Sequence, residues 1–357
     1  MGYLTFTEGA PKKPGYPLDY PDRGPANRPG ACMTETNRIH ASFDVPHQLS
    51  DRRLDQAVAE LMPEHSRSRL QGWIRDGVLT VNGKSRKPRD KVMMGDRIEL
   101  DAEPEAQVEW QAERIDLDIV YEDEHLIVIN KPAGLVVHPA AGHMDGTLVN
   151  ALLNHAPEVE NLPRAGIVHR LDKDTSGIMV VARSLIAHTS LVDQLQTRAM
   201  GREYEAVVVG TLTGGATVDA PIGRHPRERK KMAVVPTGKP AVTHYRLVER
   251  FAAHTHVRCK LESGRTHQIR VHMAHVRHPL VGDPQYGGRL RLPKGTTEEL
   301  REVLANFHRQ ALHARQLTLE HPQTREMMTW EVPLAEDFEG LLEALRKHAR
   351  ELAANER

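Results

Sequence analysis

The sequence predicts an α+β protein with two domains, a small ααβ domain followed by a larger domain built on a largely antiparallel mixed sheet. A chain of 357 residues is longer than one hydrophobic core normally serves, since cores rarely grow beyond about 250 residues. Near the N-terminus, two segments with helical spacing of apolar residues precede short alternating ones. Farther along, strands follow strands with few helices between them, which favours an antiparallel sheet over a doubly wound one.

Residues 1–40 are predicted to be a disordered leader. They carry interspersed glycines, almost no aliphatic pattern, and prolines at positions 11, 14, 17, 21, 25 and 29. Such a segment cannot bury enough apolar surface to fold. We therefore expect residues 1–32, which precede Met33, to be dispensable.

The small domain is predicted over residues 48–100. Apolar residues recur at helical spacing around Leu54 and again around Leu70, which indicates a pair of short helices. VLTVNGK then alternates up to an Asn-Gly turn, and MMGDRIEL has the pattern of a strand. The charged, proline-containing stretch that follows shows no apolar period and predicts a linker over 101–114.

The larger domain is predicted over residues 115–345, with a charged helical tail on the surface at 346–357. Apolar and β-branched runs predict its strands at 126–130, 178–182, 205–210, 243–249 and 256–262. Helical patterns interrupt them at about 184–198, 266–276 and 297–306.

Composition excludes several classes of protein. No apolar run approaches the roughly 20 residues of a membrane span, and the N-terminus lacks a signal-peptide pattern, so we expect a cytoplasmic protein without a membrane partner. Cys32 and Cys259 are too few for a disulfide framework or a zinc pair, and both are expected to be free thiols. The net charge is zero, yet residues 67–91 hold eight basic residues against two acidic ones. A local excess of this kind neutralises phosphates.

The segment GIVHRLDKDTSGIMVVA, residues 166–182, carries the densest chemistry in the chain. Two β-branched runs flank a polar loop that contains two aspartates, Asp172 and Asp174. A loop of this kind between strands suggests a site, but a surface turn that hydrogen-bonds to itself fits nearly as well. Spacing alone does not rank the two carboxylates.

HRLDKDTSG resembles the active-site loop of the RluA family of pseudouridine synthases. Three more segments fit that family in the same order: INKPAGLVVHP, REYEAVVVG and ESGRTHQIRVHMAHVRHPLVGDPQYG. The resemblance covers residues 48 to about 345, and its N-terminal part is similar to an S4-like RNA-binding domain. It implies the pseudouridine synthase fold, a curved sheet with a central cleft.

The resemblance also implies roles for four residues. The first aspartate of the loop, Asp172, is the catalytic one. Tyr204 stacks on the target base near that carboxylate, and Arg270 is the buried arginine that pairs with it. Burial disfavours a charged carboxylate and a neighbouring arginine favours it, so this pair keeps Asp172 ionised. Arg170 helps to fill the space that the flipped base leaves, although a plain phosphate contact is the alternative.

Two basic patches are predicted to bind RNA, and a solvated charged surface is the alternative for both. The first lies on the small domain and the second on the larger one; their members are Arg67, Arg69, Lys84, Arg86 and Lys87, then Arg227, Arg229, Lys230 and Lys231.

Histidines at 267, 272, 275 and 278 do not have the spacing of a metal site, so no metal is predicted and these side chains are expected to be solvated or to face RNA.

The implied reaction is the isomerisation of uridine to pseudouridine. The target base is flipped into the cleft, and Asp172 initiates the reaction by attack at C1′ or removal of the C2′ proton. No nucleotide-binding or hydrolase motif is present, and no cofactor is predicted. The resemblance implies that the enzyme acts on 23S rRNA or a pre-50S particle, within the helix 69 hairpin, although relatives modify other rRNA sites or tRNA. We also expect a monomer. The alternatives are a non-catalytic RNA-binding protein and an enzyme that releases free base.

Overall fold

A computed structural model describes residues 39–63, 65, 67–102, 110–139, 144–288, 290, 292 and 295–355. The chain divides into two compact units, Met1–Gln107 and Val108–Arg357. The predicted leader lies outside the described residues except for its last two positions, and so does Cys32. Within the described ranges, no helix is both long and apolar enough to cross a membrane.

In its described residues, the small unit contains two α-helices, a short 3-10 helix and a three-stranded antiparallel sheet. Its elements are β1 Ile39–Asp44, α1 Leu54–Leu61, α2 Arg67–Asp76, β2 Leu79–Val81 and β3 Arg97–Ala102. The strand order is β1-β3-β2. The apolar faces of both helices and the sheet close one core, which includes Leu54, Val58, Leu70 and Ile98. The predicted helices and the Asn-Gly turn are present, and Asn82 and Gly83 have φ values of 52° and 70°.

Strand β1 was missed by the sequence prediction, which assigned an ααβ unit. It includes residues 39 and 40, which were predicted to belong to the leader. Its pairing with β3 runs from Ile39 opposite Ala102 to Asp44 opposite Arg97, across more than fifty residues of chain. Only half of its side chains are partly buried, so the local pattern is weak and the strand depends on this distant partner.

The large unit is a mixed sheet with helices packed against it. The sheet strands are β4 Ile119–Glu122, β5 Leu126–Lys131, β6 Ser176–Ala182, β7 Gly201–Val209, β8 Ala216–Asp219, β11 Val242–Arg250, β12 His254–Leu261, β13 Leu312–Glu320 and β14 Met327–Glu331. A separate hairpin pairs β9 Ile222–Arg224 with β10 Met232–Val234. The helices are α3 Leu148–His155, α4 Leu185–Gln196, α5 Gln268–His275, α6 Glu298–Asn306 and α7 Glu336–Asn355.

The sheet order is β4-β5-β6-β13-β7-β12-β11-β8, with β14 paired to β13. Only β6 and β13 run parallel among the named pairs, so the sheet is largely antiparallel as predicted. Each predicted strand of this domain lies in it. Strand β6 is buried along its whole length in a core to which α3 and α4 contribute, and Val207 of β7 packs in a second cluster with α6 and α7.

The predicted surface tail at 346–357 is not a separate element, because it continues a helix that begins earlier in the chain. Helix α7 begins at Glu336, so the predicted boundary at 345 falls inside it. Its apolar residues Phe338, Leu341, Leu342 and Leu345 follow one face and are buried against α6 and β7. Charged residues on the opposite face gave the segment its polar appearance.

Candidate active site

The polar loop 168–175 leads into β6, and two glycines make its ends possible. Gly166 has φ +76°, and a β-carbon there would lie 1.9 Å from the Ala182 carbonyl oxygen. Gly177 has φ +112°, and a β-carbon there would lie 2.1 Å from the Ala314 carbonyl oxygen. Because only glycine fits these close approaches, the sequence G-I-V-H-R-L-D-K-D-T-S-G fixes how the loop enters and leaves the sheet.

Basic side chains hydrogen-bond to backbone carbonyl groups of the loop. Lys131, at the end of β5 and 1% exposed, donates to the carbonyl oxygens of Pro132, Leu135 and Lys173 at 2.8, 3.0 and 3.0 Å. Burial lowers the pKa of Lys131 to about 7, against the charges of Asp174 and Asp172, which raise it. Arg309 donates to the Asp174 carbonyl oxygen at 3.2 Å. These contacts give Asp172 a rigid support.

The Asp172 carboxylate contacts a buried arginine that a second carboxylate anchors. Arg270 Nη1 donates to Asp172 Oδ2 at 2.8 Å. The same guanidinium donates through Nε and Nη2 to Asp283 at 2.7 and 2.9 Å. Asp283 in turn accepts from the backbone N–H groups of Gln285 and Tyr286. Arg270 is therefore fixed by a bidentate pair and presents its remaining edge to Asp172.

Exposure differs sharply among these three charged groups. The side chains of Asp283 and Arg270 are 0% and 5% exposed, whereas that of Asp172 is 20% exposed. Burial alone would lower the pKa of Arg270, but its hydrogen bonds and charge interactions with Asp283 and Asp172 outweigh this and raise it. Asp283 and Arg270 thus form the support, and Asp172 is the member that reaches solvent.

One cleft of about 1040 Å³ is lined by all four residues that the resemblance identified: Asp172, Tyr204, Arg270 and Arg170. Tyr204 lies on β7 and is buried, and desolvation raises its pKa, so its hydroxyl stays neutral. Arg170 is exposed. The lining also includes five arginines besides Arg270, against the two carboxylates of Asp172 and Glu262. This positive excess suits a phosphate-bearing ligand.

The predicted basic patches are placed in two different units. On the small unit, Lys84, Arg86 and Lys87 are exposed in the segment between β2 and β3. Arg69 is half-buried on α2 with its guanidinium 4.9 Å from the Trp73 ring centroid, and Arg67 begins that helix. On the large unit, the second patch occupies the turn between β9 and β10, where Lys231 is paired with Glu228 at 2.7 Å.

The prediction that these histidines are solvated or face RNA is wrong for His272, whereas His278 is half-buried. His272 is fully buried and hydrogen-bonds to Thr243 Oγ1 and the Ala220 carbonyl oxygen, both at 2.9 Å. His278 Nδ1 contacts the Val209 carbonyl oxygen at 2.9 Å. These rings pack α5 and its following turn against the sheet, because a neutral imidazole can bridge two backbone or hydroxyl groups inside a core.

Three supporting residues were missed by the sequence reasoning: Lys131, Asp283 and Arg309. Lys131 and Asp283 fall within segments that resemble the family, but charged residues near the ends of strands and in turns are usually solvated. Their burial is decided by tertiary packing. Arg309 lies outside those segments, and we find no signal in the sequence that identifies it.

Comparisons with known proteins identify the family of the chain. The RNA pseudouridylate synthase family matches residues 125–275, and the S4 domain matches residues 52–98. The chain is 62% identical over 312 residues to ribosomal large subunit pseudouridine synthase D of Pseudomonas aeruginosa, covering 87% of this chain and 98% of that protein. It is 54% identical over 310 residues to the protein of that name from Escherichia coli K12, covering 87% and 95%.

A solved structure supports the same assignment. The structure of human RNA Pseudouridylate Synthase Domain Containing 4 aligns with a TM-score of 0.52 at 28% identity, covering 64% of this chain and 92% of that one. The pseudouridylate synthase match, the two relatives and this structure support the family that the four segments resemble, and the S4 match supports the resemblance of the N-terminal part. The chain therefore belongs to the RNA pseudouridylate synthase family and carries an S4 domain ahead of its catalytic domain.

Proposed function

We propose that this enzyme converts uridines of 23S rRNA to pseudouridine, within the helix 69 hairpin, on the free RNA or on a pre-50S particle. The relatives that are 62% and 54% identical are both named for the large ribosomal subunit, and they align over nearly their whole length. The resemblance of the sequence motifs supplies the narrower expectation of helix 69. We also expect the enzyme to act as a monomer.

Asp172 is the residue that initiates the reaction. The observation that carries this assignment is the unequal environment of its two carboxylate oxygens. Oδ2 accepts from the buried Arg270 at 2.8 Å, whereas Oδ1 faces His267 Nε2 at 3.7 Å, within the cleft. The arginine orients the carboxylate, and Oδ1 is left to react. It either attacks C1′ of the ribose or removes the C2′ proton.

The reaction needs no oxidant or reductant. The N1–C1′ bond of uridine breaks, the uracil turns, and a C5–C1′ bond forms. The hydrogen on C5 leaves as a proton, and N1 gains a proton, so atoms and electrons balance. The residues of the cleft need only hold the base, the ribose and one reactive carboxylate in register.

The target base must leave its stem to reach Asp172. Flipping a base costs a few kcal/mol, which stacking on an aromatic side chain partly offsets. Tyr204 lies on β7 and lines the cleft, which supports its role as this aromatic side chain. Arg170 is exposed beside Asp172 and would occupy the space that the base leaves. Pockets of roughly 300–1,000 Å³ hold drug-sized ligands, so a cleft of about 1040 Å³ accommodates a flipped nucleotide.

RNA contacts beyond the cleft come from the basic residues of both units. Lys84, Arg86 and Lys87 are exposed on the S4-containing unit, and Arg227 and Arg229 are exposed on the β9–β10 turn. Exposed cations such as these bind phosphates without reading sequence. They set affinity, and the cleft selects the base.

Mapping pseudouridines by chemical modification and primer extension, in rRNA from cells that lack this gene, tests the substrate. We expect the helix 69 pseudouridines to disappear and to return on complementation with the wild-type gene but not with an Asp172→Asn gene. Loss of pseudouridines at another rRNA site or in tRNA, with helix 69 unchanged, would overturn the proposed target. Release of free uracil by the purified enzyme would overturn the proposed reaction.

A further inference from the structure

The cleft contains a second side chain directed at Asp172 that the proposed mechanism leaves unused. His267 Nε2 lies 3.7 Å from Asp172 Oδ1, the oxygen that Arg270 does not contact. On the other side of the same ring, His267 Nδ1 lies 2.8 Å from the hydroxyl oxygen of Tyr286. The imidazole therefore bridges a tyrosine hydroxyl and the free edge of the carboxylate.

Tyr286 is itself held on three sides. Its hydroxyl oxygen accepts from the backbone N–H of Met232, in β10, at 3.0 Å. The Arg270 guanidinium carbon lies 5.0 Å from the centroid of its ring, and the ring packs against the small apolar cluster that includes Ile222 and Val271. The tyrosine hydroxyl thus connects the β9–β10 hairpin to the histidine.

The backbone at His267 is held in an uncommon conformation. Its φ of +56° places it in the left-handed region, immediately before α5. Only a few per cent of residues other than glycine adopt this region, and such conformations persist where the surroundings hold them, often at functional sites. Here the conformation directs the ring into the cleft, with its side chain 18% exposed.

Hydrogen-bond chemistry assigns the proton on the ring. The Tyr286 oxygen already accepts from Met232, so its own hydrogen is available to donate to His267 Nδ1. An Nδ1 that accepts leaves the proton on Nε2. The alternative tautomer would turn an Nε2 lone pair toward a carboxylate oxygen. Both arguments put the hydrogen on Nε2, the ring nitrogen that lies 3.7 Å from Asp172 Oδ1.

We propose that His267 and Tyr286 are positioning residues for Asp172: the tyrosine hydroxyl fixes the histidine tautomer, and the histidine Nε2–H orients the carboxylate oxygen that reacts. This inference rests on the proposed role of Asp172. Arg270 and His267 then hold the two carboxylate oxygens from opposite sides, so the carboxylate does not rotate as the substrate enters.

The charges around His267 agree with a neutral ring. Burial lowers the pKa of His267, and the positive charges of Arg270 and Arg170 lower it further, against the opposing effects of Asp172 and Asp283. A neutral imidazole carries its hydrogen on only one of the two ring nitrogens, so the tyrosine can determine which nitrogen that is. An imidazolium would donate from both nitrogens, and the tyrosine would have no role in the choice.

Tyr286→Phe tests the hydroxyl, because phenylalanine keeps the ring, its packing and its contact with Arg270. We expect kcat to fall about tenfold, the effect of losing one aligned hydrogen bond, with KM within about twofold of the parent. Tyr245→Phe is the matched control, since Tyr245 is half-buried on β11 outside the cleft lining, and it should leave both constants unchanged. A Tyr286→Phe enzyme with parental kcat, or with a change in KM alone, would overturn the proposal.

A pair of substitutions at His267 provides a second test if Tyr286→Phe proves unstable. The amide nitrogen of Gln reaches the place of Nε2, whereas that of Asn reaches the place of Nδ1. We expect His267→Gln to retain more kcat than His267→Asn by about tenfold. Backbone strain predicts the opposite order, because Asn tolerates the left-handed region better than Gln. An Asn variant as active as the Gln variant would overturn the proposal.

Nitrogen NMR of the histidine ring reads the tautomer directly. We expect His267 in the wild-type protein to be protonated at Nε2, and the Nδ1–H form to gain population in Tyr286→Phe. A wild-type ring protonated at Nδ1 would refute the inference. An active Asp172→Asn enzyme would instead refute the proposed function, whatever the tyrosine variant does, so the two failures are distinguishable.

Discussion

Replacing Arg270 by alanine removes a side chain that contacts both Asp172 and Asp283. In the folded enzyme the guanidinium makes two hydrogen bonds to Asp283 and one to Asp172, and it is 5% exposed. The substitution leaves Asp283, with 0% side-chain exposure, as a buried carboxylate without its cation. Asp172 is 20% exposed and can be solvated more easily.

The loss of stability can be worked out from these environments. Removing one partner of a buried ion pair costs about 3–5 kcal/mol. Asp283 keeps its hydrogen bonds from the backbone N–H groups of Gln285 and Tyr286, which places the expected loss at the lower end, about 3 kcal/mol. Because Asp172 also loses its orientation, we expect activity to fall by about a hundredfold or more.

Urea unfolding followed by tryptophan fluorescence measures the stability change. The chain has three tryptophans, and a Trp73→Phe background leaves Trp110 and Trp330, both in the catalytic unit, as reporters. With a urea slope of roughly 3 kcal/mol/M, a loss of about 3 kcal/mol lowers the midpoint by roughly 1 M. Arg198→Ala is the control, because Arg198 pairs with Glu262 at 49% exposure and should cost less than about 1 kcal/mol.

An Arg270→Ala enzyme whose midpoint matches that of Arg198→Ala would refute the reasoning. That result would mean that Asp283 is neutral or solvated in the folded state. Normal activity in the same variant would show separately that Asp172 does not need the arginine for its orientation.

Three further predictions concern pH, RNA binding and metals. Burial lowers the pKa of His313 to about 4, so between about pH 6.5 and 4 the unfolded chain binds a proton that the folded chain does not. The free energy of unfolding should therefore fall as the pH decreases through this range. In urea titrations, His313→Asn should lessen this fall, because asparagine retains a hydrogen-bond partner for Ser176. Replacing Lys84, Arg86 and Lys87 together by alanine should weaken RNA binding and reduce the slope of log K against log salt by about two to three, as measured by filter binding at several salt concentrations. Activity should survive exhaustive EDTA treatment once RNA folding is controlled for, and metal that stays bound in stoichiometric amount and restores activity would contradict this.

The strands and helices that local patterns specify were predictable from sequence. The buried runs at 126–130 and 178–182 lie in β5 and β6, and the helical patterns near 184–198 and 297–306 lie in α4 and α6. In these elements local propensity and tertiary environment agree. Strand β1 was not predictable, because its weak alternation becomes a strand only through pairing with β3.

The site was predictable to the extent that motifs carried it. Asp172, Tyr204 and Arg270 were identified through their resemblance to family segments, and the structure gathers them in one cleft. The residues that support them were not identified, because a charged side chain takes a supporting role only when it is buried and hydrogen-bonded. The sequence pattern does not show which charged residues are buried. Lys131 and Asp283 are the clearest cases. Helix α7 was predicted to lie on the surface because many of its residues are charged, but the apolar residues on its other face are buried.

The central claim is that Asp172, and not its neighbour Asp174, initiates the reaction. Asp172 lines the cleft and contacts Arg270, whereas the Asp174 carbonyl oxygen accepts from Arg309 beneath the loop. Tritium release from rRNA labelled at uridine C5 should be abolished in Asp172→Asn, with RNA affinity within a few-fold of the parent, because the amide keeps the size and loses the reactive oxygen. Asp174→Asn should turn over measurably in the same assay. An active Asp172→Asn enzyme beside an inactive Asp174→Asn enzyme would contradict the account.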